Sequence, residues 1–179
     1  MRIMRALRFL IPLLIVGALV VLTTSFLSAR PSLQSAERNV NATWQPLANQ
    51  LGRRYILLAA VDAKLHGVQG PTAQVVAQLD GALDSWSQAQ QHGDVRRQVA
   101  DANMLESIGR RIATLPRVQA MADARLAVTK YVSDRSYDGS AAFNDAVERY
   151  HRDLQGPIRG RVASVLGYDE IPAFEAPSS

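Results

Sequence analysis

Residues 40–65 read VNATWQPLANQLGRRYILLAAVDAKL, and within them Val40, Trp44, Leu47, Leu51, Tyr55, Leu58, Val61 and Leu65 recur at steps of three and four. That is the period of an α-helix with one apolar stripe. A helix of this length buries such a stripe against other helices, so the stretch points to an all-α fold, a bundle of long antiparallel helices. The pattern predicts one helix from about Leu33 to His66. Pro46 is expected to kink it or to mark where its ordered part begins.

Toward the C-terminus, Gly67-Val68-Gln69-Gly70 reads as a turn and Pro71 as the first position of a second helix. That helix carries Val75, Leu79, Leu83 and Trp86 on one face, with Val76 and Ala82 alongside, and His92-Gly93 stops it. Asp94 then caps a third segment with Val95, Val99, Leu105, Ile108, Ile112 and Leu115 in register, broken by Pro116. From Arg117, the positions Val118, Met121, Leu126, Val128, Tyr131, Phe143, Val147, Tyr150 and Leu154 predict one long helix with Asp138-Gly139 as its weak point. Residues 157–179 hold Pro157, Pro172 and Pro177 and are expected to form a short helix and an irregular tail. Tyr168 and Phe174 are expected to fold back onto the bundle, the competing reading being an exposed docking motif.

Toward the N-terminus, Phe9 to Leu27 is a run of 19 residues without a charge, about 28 Å as a helix. It predicts a transmembrane anchor, with the lipid bilayer as its partner. The rival reading, a cleaved secretory signal, fits less well because the run exceeds an ordinary signal core and Leu27-Ser28-Ala29 is a poor cleavage site. The expected organisation is 1–29 cytoplasmic start and anchor, 30–156 helical bundle, and 157–179 short helix and tail. Arg2, Arg5 and Arg8 before the run outweigh Arg30 and Arg38 after it, which puts the N-terminus in the cytoplasm and the helical domain outside; the reverse orientation is the alternative.

Composition agrees with helices: aromatic residues are 6% of 179 and glycines number 11. The net charge is +4, but Arg2, Arg5 and Arg8 supply most of it, leaving 17 basic against 16 acidic residues downstream. No basic stripe interleaved with aromatics exists, so nucleic acid is not an expected partner, and Arg53-Arg54, Arg96-Arg97 and Arg110-Arg111 read as solvated helix faces. The absence of cysteine excludes disulfides, thiolate metal sites and cysteine catalysis.

Trp44-x6-Leu51-x-Arg53-Arg54-Tyr55 behind an N-terminal apolar run resembles the first soluble helix of the LemA family. Phe143-Asn144-x-x-Val147-x-x-Tyr150 resembles that family's aromatic-Asn-x-x-Val-x-x-Tyr run, and Leu166-Gly167-Tyr168 with Pro172-x-Phe174-Glu175-Ala176 its C-terminal pattern. Leu115-Pro116-x-Val118-x-Ala120 is a weaker match. The sequence departs where the family continues Asp-Leu-Ile-Pro-Asn-Leu and this chain reads Ile56 to Val61, and where His151 replaces Asn. The resemblance implies a bacterial single-pass protein with a helical bundle, in a family without an established activity whose relatives are associated with membrane remodelling and membrane-protease contexts. The family is often described with its N-terminus outside, against the arginines here.

No catalytic, cofactor-binding or metal residue is assigned. His66, His92 and His151 lack paired-ligand spacing, and His92 beside Gly93 reads as helix-end chemistry. Asp80 with Asp84 and Asp145 with Glu148 share helix faces as solvated carboxylates. Trp44, Tyr55, Trp86, Phe143 and Tyr150 read as core packing, and Asn144 as a structural hydrogen bond between helices. The expected function is a non-enzymatic, membrane-anchored scaffold or interaction module of the bacterial envelope, with a protein partner or self-association. The alternatives are a membrane-remodelling protein, an accessory factor of a membrane protease, or an unrecognised hydrolase.

Overall fold

The computed structural model describes residues 2–65, 67, 69–134, 137–157 and 159–176, with side chains from Ala29 onward apart from that of Pro71. These residues form seven α-helices and no strand. They are α1 (Arg2–Leu65), α2 (Pro71–His92), α3 (Val95–Ala113), α4 (Pro116–Ala120), α5 (Ala122–Ser133), α6 (Ser140–Gln155) and α7 (Arg159–Leu166).

The eight residues of the α1 stripe, Val40 through Leu65, are all buried, and their spacing is the reason the helix exists in this context. The helix runs through Pro46, which faces solvent next to the buried Leu47, so no break occurs there. Gly93 ends α2 in a left-handed conformation (φ 67°), its N–H donating to Ala89 and Gln90 carbonyls, a backbone state that a side chain would strain. Asp94 caps α3 by accepting from the Arg97 N–H at 3.0 Å.

The expected long helix from Arg117 is instead three helices. Met121 is extended (φ −95°, ψ 109°) between α4 and α5, and Gly139 (φ 90°) precedes α6. Restarting at Ala122 sets the buried face of α5 to Ala124, Val128 and Tyr131, and that phase turns Leu126 outward to 57% exposure.

The predicted transmembrane helix is corrected. Among the described residues no helix is long and apolar enough to cross a membrane. From Ala29 onward α1 is two-faced, alternating its buried stripe with exposed Arg30, Arg38 and Arg53, whereas a span is apolar all round. Phe9 to Leu27, on which the expectation rested, have side chains outside the described residues.

The chain divides into two compact units. One comprises residues 1–38 and 149–170. In it Ala29 and Leu33 pack with Val162 and Ala163, flanked by Leu154, Leu166 and Tyr168, and the Tyr150 hydroxyl donates to the Asp169 carbonyl at 3.0 Å. The other comprises residues 39–148 and 171–179, and it holds the aromatic core around Trp44 and a buried polar network around Arg54.

Candidate functional site

Arg54 lies one step off the apolar stripe of α1 and is only 2% exposed. Its Nη2 donates to both oxygens of Glu106 (3.2 and 3.4 Å) and to the Tyr137 hydroxyl (2.8 Å). Glu106 Oε2 also accepts from the Tyr131 and Tyr137 hydroxyls, each at 2.8 Å. The guanidinium sits over both rings, 4.6 Å from that of Tyr131 and 4.7 Å from that of Tyr137, so cation–π attraction adds to the ion pair. Burial opposes the Arg54 charge, but Glu106 and the tyrosines outweigh it and leave its pKa above the ordinary value. Burial and the Glu106 carboxylate both push the Tyr131 and Tyr137 hydroxyls well up, so they remain donors. Arg54 was expected on a solvated face. Only its neighbour Arg53 is there, together with Arg96, Arg97, Arg110 and Arg111.

Tyr131 reaches this cluster because position 109 is glycine: a Cβ there would lie 2.6 Å from the tyrosine ring. From the cluster an aromatic path runs inward. Tyr137 stacks at 5.8 Å on Phe174, Phe174 at 6.3 Å on Trp44, and Trp44 at 4.9 Å on Phe143. Trp44 also meets Trp86 edge-on at 6.3 Å, and Trp86 meets Tyr55 at 5.1 Å. The Trp44 indole N–H donates to Gln98 Oε1 at 2.7 Å, and Gln98 Nε2 to the Ala89 carbonyl at 3.1 Å, so the buried polar atoms are paired.

Phe174 belongs to the C-terminal tail, and the tail is held by two asparagine side chains. Asn144, on α6, accepts from the Phe174 N–H (2.9 Å) and donates to the Phe174 carbonyl (3.0 Å). Asn103, on α3, accepts from the Glu175 N–H (2.8 Å) and donates to the Ala173 carbonyl (2.9 Å). In an extended chain the two polar groups of one residue point to one edge, and those of its neighbours to the other. Each asparagine amide therefore stands in for a neighbouring strand, one on each edge of the tail. Phe174 supplies the anchor at 2% exposure, with Ile171 also buried. The tail is thus clamped: backbone hydrogen bonds hold it on both edges, and the buried side chains of Ile171 and Phe174 anchor it.

Asn144, expected to bond between helices, bonds the tail. Asn103, Gln98 and Glu106 were not singled out from the sequence, and Arg54 was assigned there to a solvated face; the signal available for Glu106 was its spacing of seven from Val99, a core period occupied by a charge. Trp44, Tyr55, Trp86, Phe143 and Tyr150 are all buried as core. Asp80, Asp84, Asp145 and Glu148 are exposed. His92 is exposed with Nδ1 2.7 Å from the Gln88 carbonyl at its helix end, His151 stacks near Tyr150 at 6.3 Å, and His66 lies outside the described residues. No group of His, Asp or Glu suited to a metal ion occurs among the described residues. A concave feature of about 630 Å³ lies between α2 and α3 and is lined by Gly81, Ser85, Asp101, Met104 and Arg111. The Asp101 carboxylate there accepts from Ser85 Oγ at 2.9 Å, and burial raises its pKa against the pull of that bond and of Arg97.

Of the motifs that carry the LemA resemblance, Phe143-Asn144 lies on the clamp and Pro172-x-Phe174 in the segment that it holds. No protein-family model matches the chain, and no curated protein or solved structure matches it, so that resemblance rests on the quoted motifs alone.

Proposed function

We propose that the protein is a non-enzymatic interaction module: a helical bundle whose working part is a clamp for an extended, aromatic-bearing peptide segment, resident in this chain as its own tail. The observation that carries the reading is the pair of bidentate asparagines, Asn103 and Asn144, which between them bond three consecutive tail residues on both edges. Burial of Phe174 anchors the segment, and pairing its backbone on two edges is what recognition of an extended peptide requires. The Arg54–Glu106–tyrosine cluster supports the clamp by fixing the Tyr137 ring that Phe174 rests on. The Glu106 carboxylate and both tyrosine hydroxyls are bonded within the cluster, which suits a rigid support and not a site poised for proton transfer.

The test is peptide binding. In the full chain carrying Phe174→Ala the resident tail is weakened, and a labelled peptide spanning residues 168–176 is expected to bind, measured by fluorescence anisotropy. Adding Asn103→Ala and Asn144→Ala to the receptor, or alanine at the phenylalanine of the peptide, is expected to abolish the signal. No binding to the Phe174→Ala chain, or binding indifferent to both asparagines, refutes the reading.

A further inference from the structure

The tail is tied into the clamp entirely by non-covalent contacts, and its covalent link to the rest of the chain crosses at one place. Up to Asp169 the chain is fastened within the unit formed by 1–38 and 149–170: the Tyr168 N–H donates to the Ala163 carbonyl at 3.0 Å, and the Asp169 carbonyl accepts from Tyr150. From Ile171 it belongs to the unit that contains the clamp. Glu170, the last residue of the first unit, is exposed.

We propose that the clamp also accepts the tail of a second copy of this chain, giving a tail-exchanged dimer; the proposal rests on the reading of the clamp as a peptide site. Every clamp contact, the four asparagine bonds and the seating of Phe174 against Trp44 and Tyr137, is identical whether the tail arrives from the same chain or another. Exchange also leaves the Tyr168 and Asp169 bonds in place, because the switch occurs beyond them. The two states then differ in the linkage across residue 170 and in effective concentration, which favours the closed monomer when dilute and the exchanged dimer as concentration approaches the effective molarity of the tether.

The occupant is a second copy because the clamp's demands match this tail. Ile171 and Phe174 are its two buried anchors, Pro172 between them limits the conformations lost on docking, and Ala173 and Glu175 face outward and are bonded through backbone alone. Two-edged hydrogen bonding around one aromatic anchor fixes the register, so an arriving tail docks in a single alignment.

The chain contains no cysteine, so single cysteines report on exchange without further changes. One full-length chain carries Ala176→Cys, exposed in the tail two residues past Phe174. The other carries Ala100→Cys, exposed on α3 one turn before Asn103. The two are mixed at about 0.1 mM, below the millimolar effective concentration of a short tether, then concentrated, and joined with a short bis-maleimide. The expected result is a covalent heterodimer whose yield rises with concentration and time, and which is lost when the tail-labelled chain also carries Phe174→Ala. Because that substitution can weaken the fold, the double variant Ala100→Cys/Ala176→Cys provides a second reading: its intramolecular product is expected to fall as unlabelled wild-type chain is added. An intramolecular product that does not fall, or a heterodimer yield indifferent to Phe174→Ala, overturns the proposal. If labelled peptide binds the clamp while full chains never exchange, the peptide-site reading stands and tail exchange alone is refuted.

Discussion

Replacing Glu106 by glutamine preserves the side chain's size and removes one charge. Arg54 keeps its own charge at 2% exposure, with its only ion-pair partner gone and two of its guanidinium nitrogens, Nε and Nη1, already without an acceptor among the described residues. Breaking a buried pair from one side costs about 3–5 kcal/mol, because the remaining charge stays desolvated. Against a total stability of about 5–15 kcal/mol that is a large fraction. For a chain of this size each kcal/mol moves Tm by about 2–4 °C, so the variant should melt about 6–20 °C lower. Urea denaturation followed by far-ultraviolet circular dichroism should show the midpoint falling at unchanged slope. The double replacement Arg54→Met/Glu106→Leu removes both charges, and most of the lost stability should return, short of what the Tyr131 and Tyr137 hydroxyls lose with their acceptor. Since Tyr137 bonds Glu106 and stacks on Phe174, Glu106→Gln should also speed hydrogen exchange at the Phe174 amide. A Glu106→Gln chain within about 1 kcal/mol of the parent, or a double variant no better than the single, would show that Arg54 does not depend on this buried pair.

Gly109→Ala should destabilise by about 1–3 kcal/mol in the same assay, because the added methyl meets the Tyr131 ring and displaces it from Glu106; an unchanged midpoint would show that the ring yields freely. The tyrosines should make the protein alkali-sensitive. Burial, with Glu37, raises Tyr150 from 10.0 to about 12, and Tyr55, Tyr131 and Tyr137 are also raised. The unfolded chain therefore releases these protons at a lower pH than the folded one, so stability holds below pH 10 and declines from there up to the folded values, by about 1.4 kcal/mol per pH unit for each such tyrosine. Ultraviolet titration of phenolate, run beside unfolding curves, should place ionisation and unfolding together; tyrosines titrating near 10 in a folded chain would contradict the packing.

What the sequence determined was whatever depends on neighbours along the chain. The three-and-four spacing from Val40 to Leu65 specified a buried helix face, Gly93 and Asp94 specified a stop and a start, and Pro71 opened a helix, because these effects act within one turn of backbone. The same local logic placed Trp44, Phe143 and Phe174 in the core. It failed where a local pattern was compatible with two outcomes. An apolar spacing continues across Met121, but the break there reset the phase and put Leu126 in solvent. Arg53-Arg54 is a charged pair in sequence, yet only tertiary packing brought Glu106, 52 residues away, and two tyrosines to the second arginine, turning a solvated face into a buried one. The clamp is the extreme case. Asn103 and Asn144 are ordinary helix-surface residues until the tail lies between them, and a bond spanning 30 or 72 residues leaves no periodic trace, because side-chain amides recognise backbone, which every sequence has.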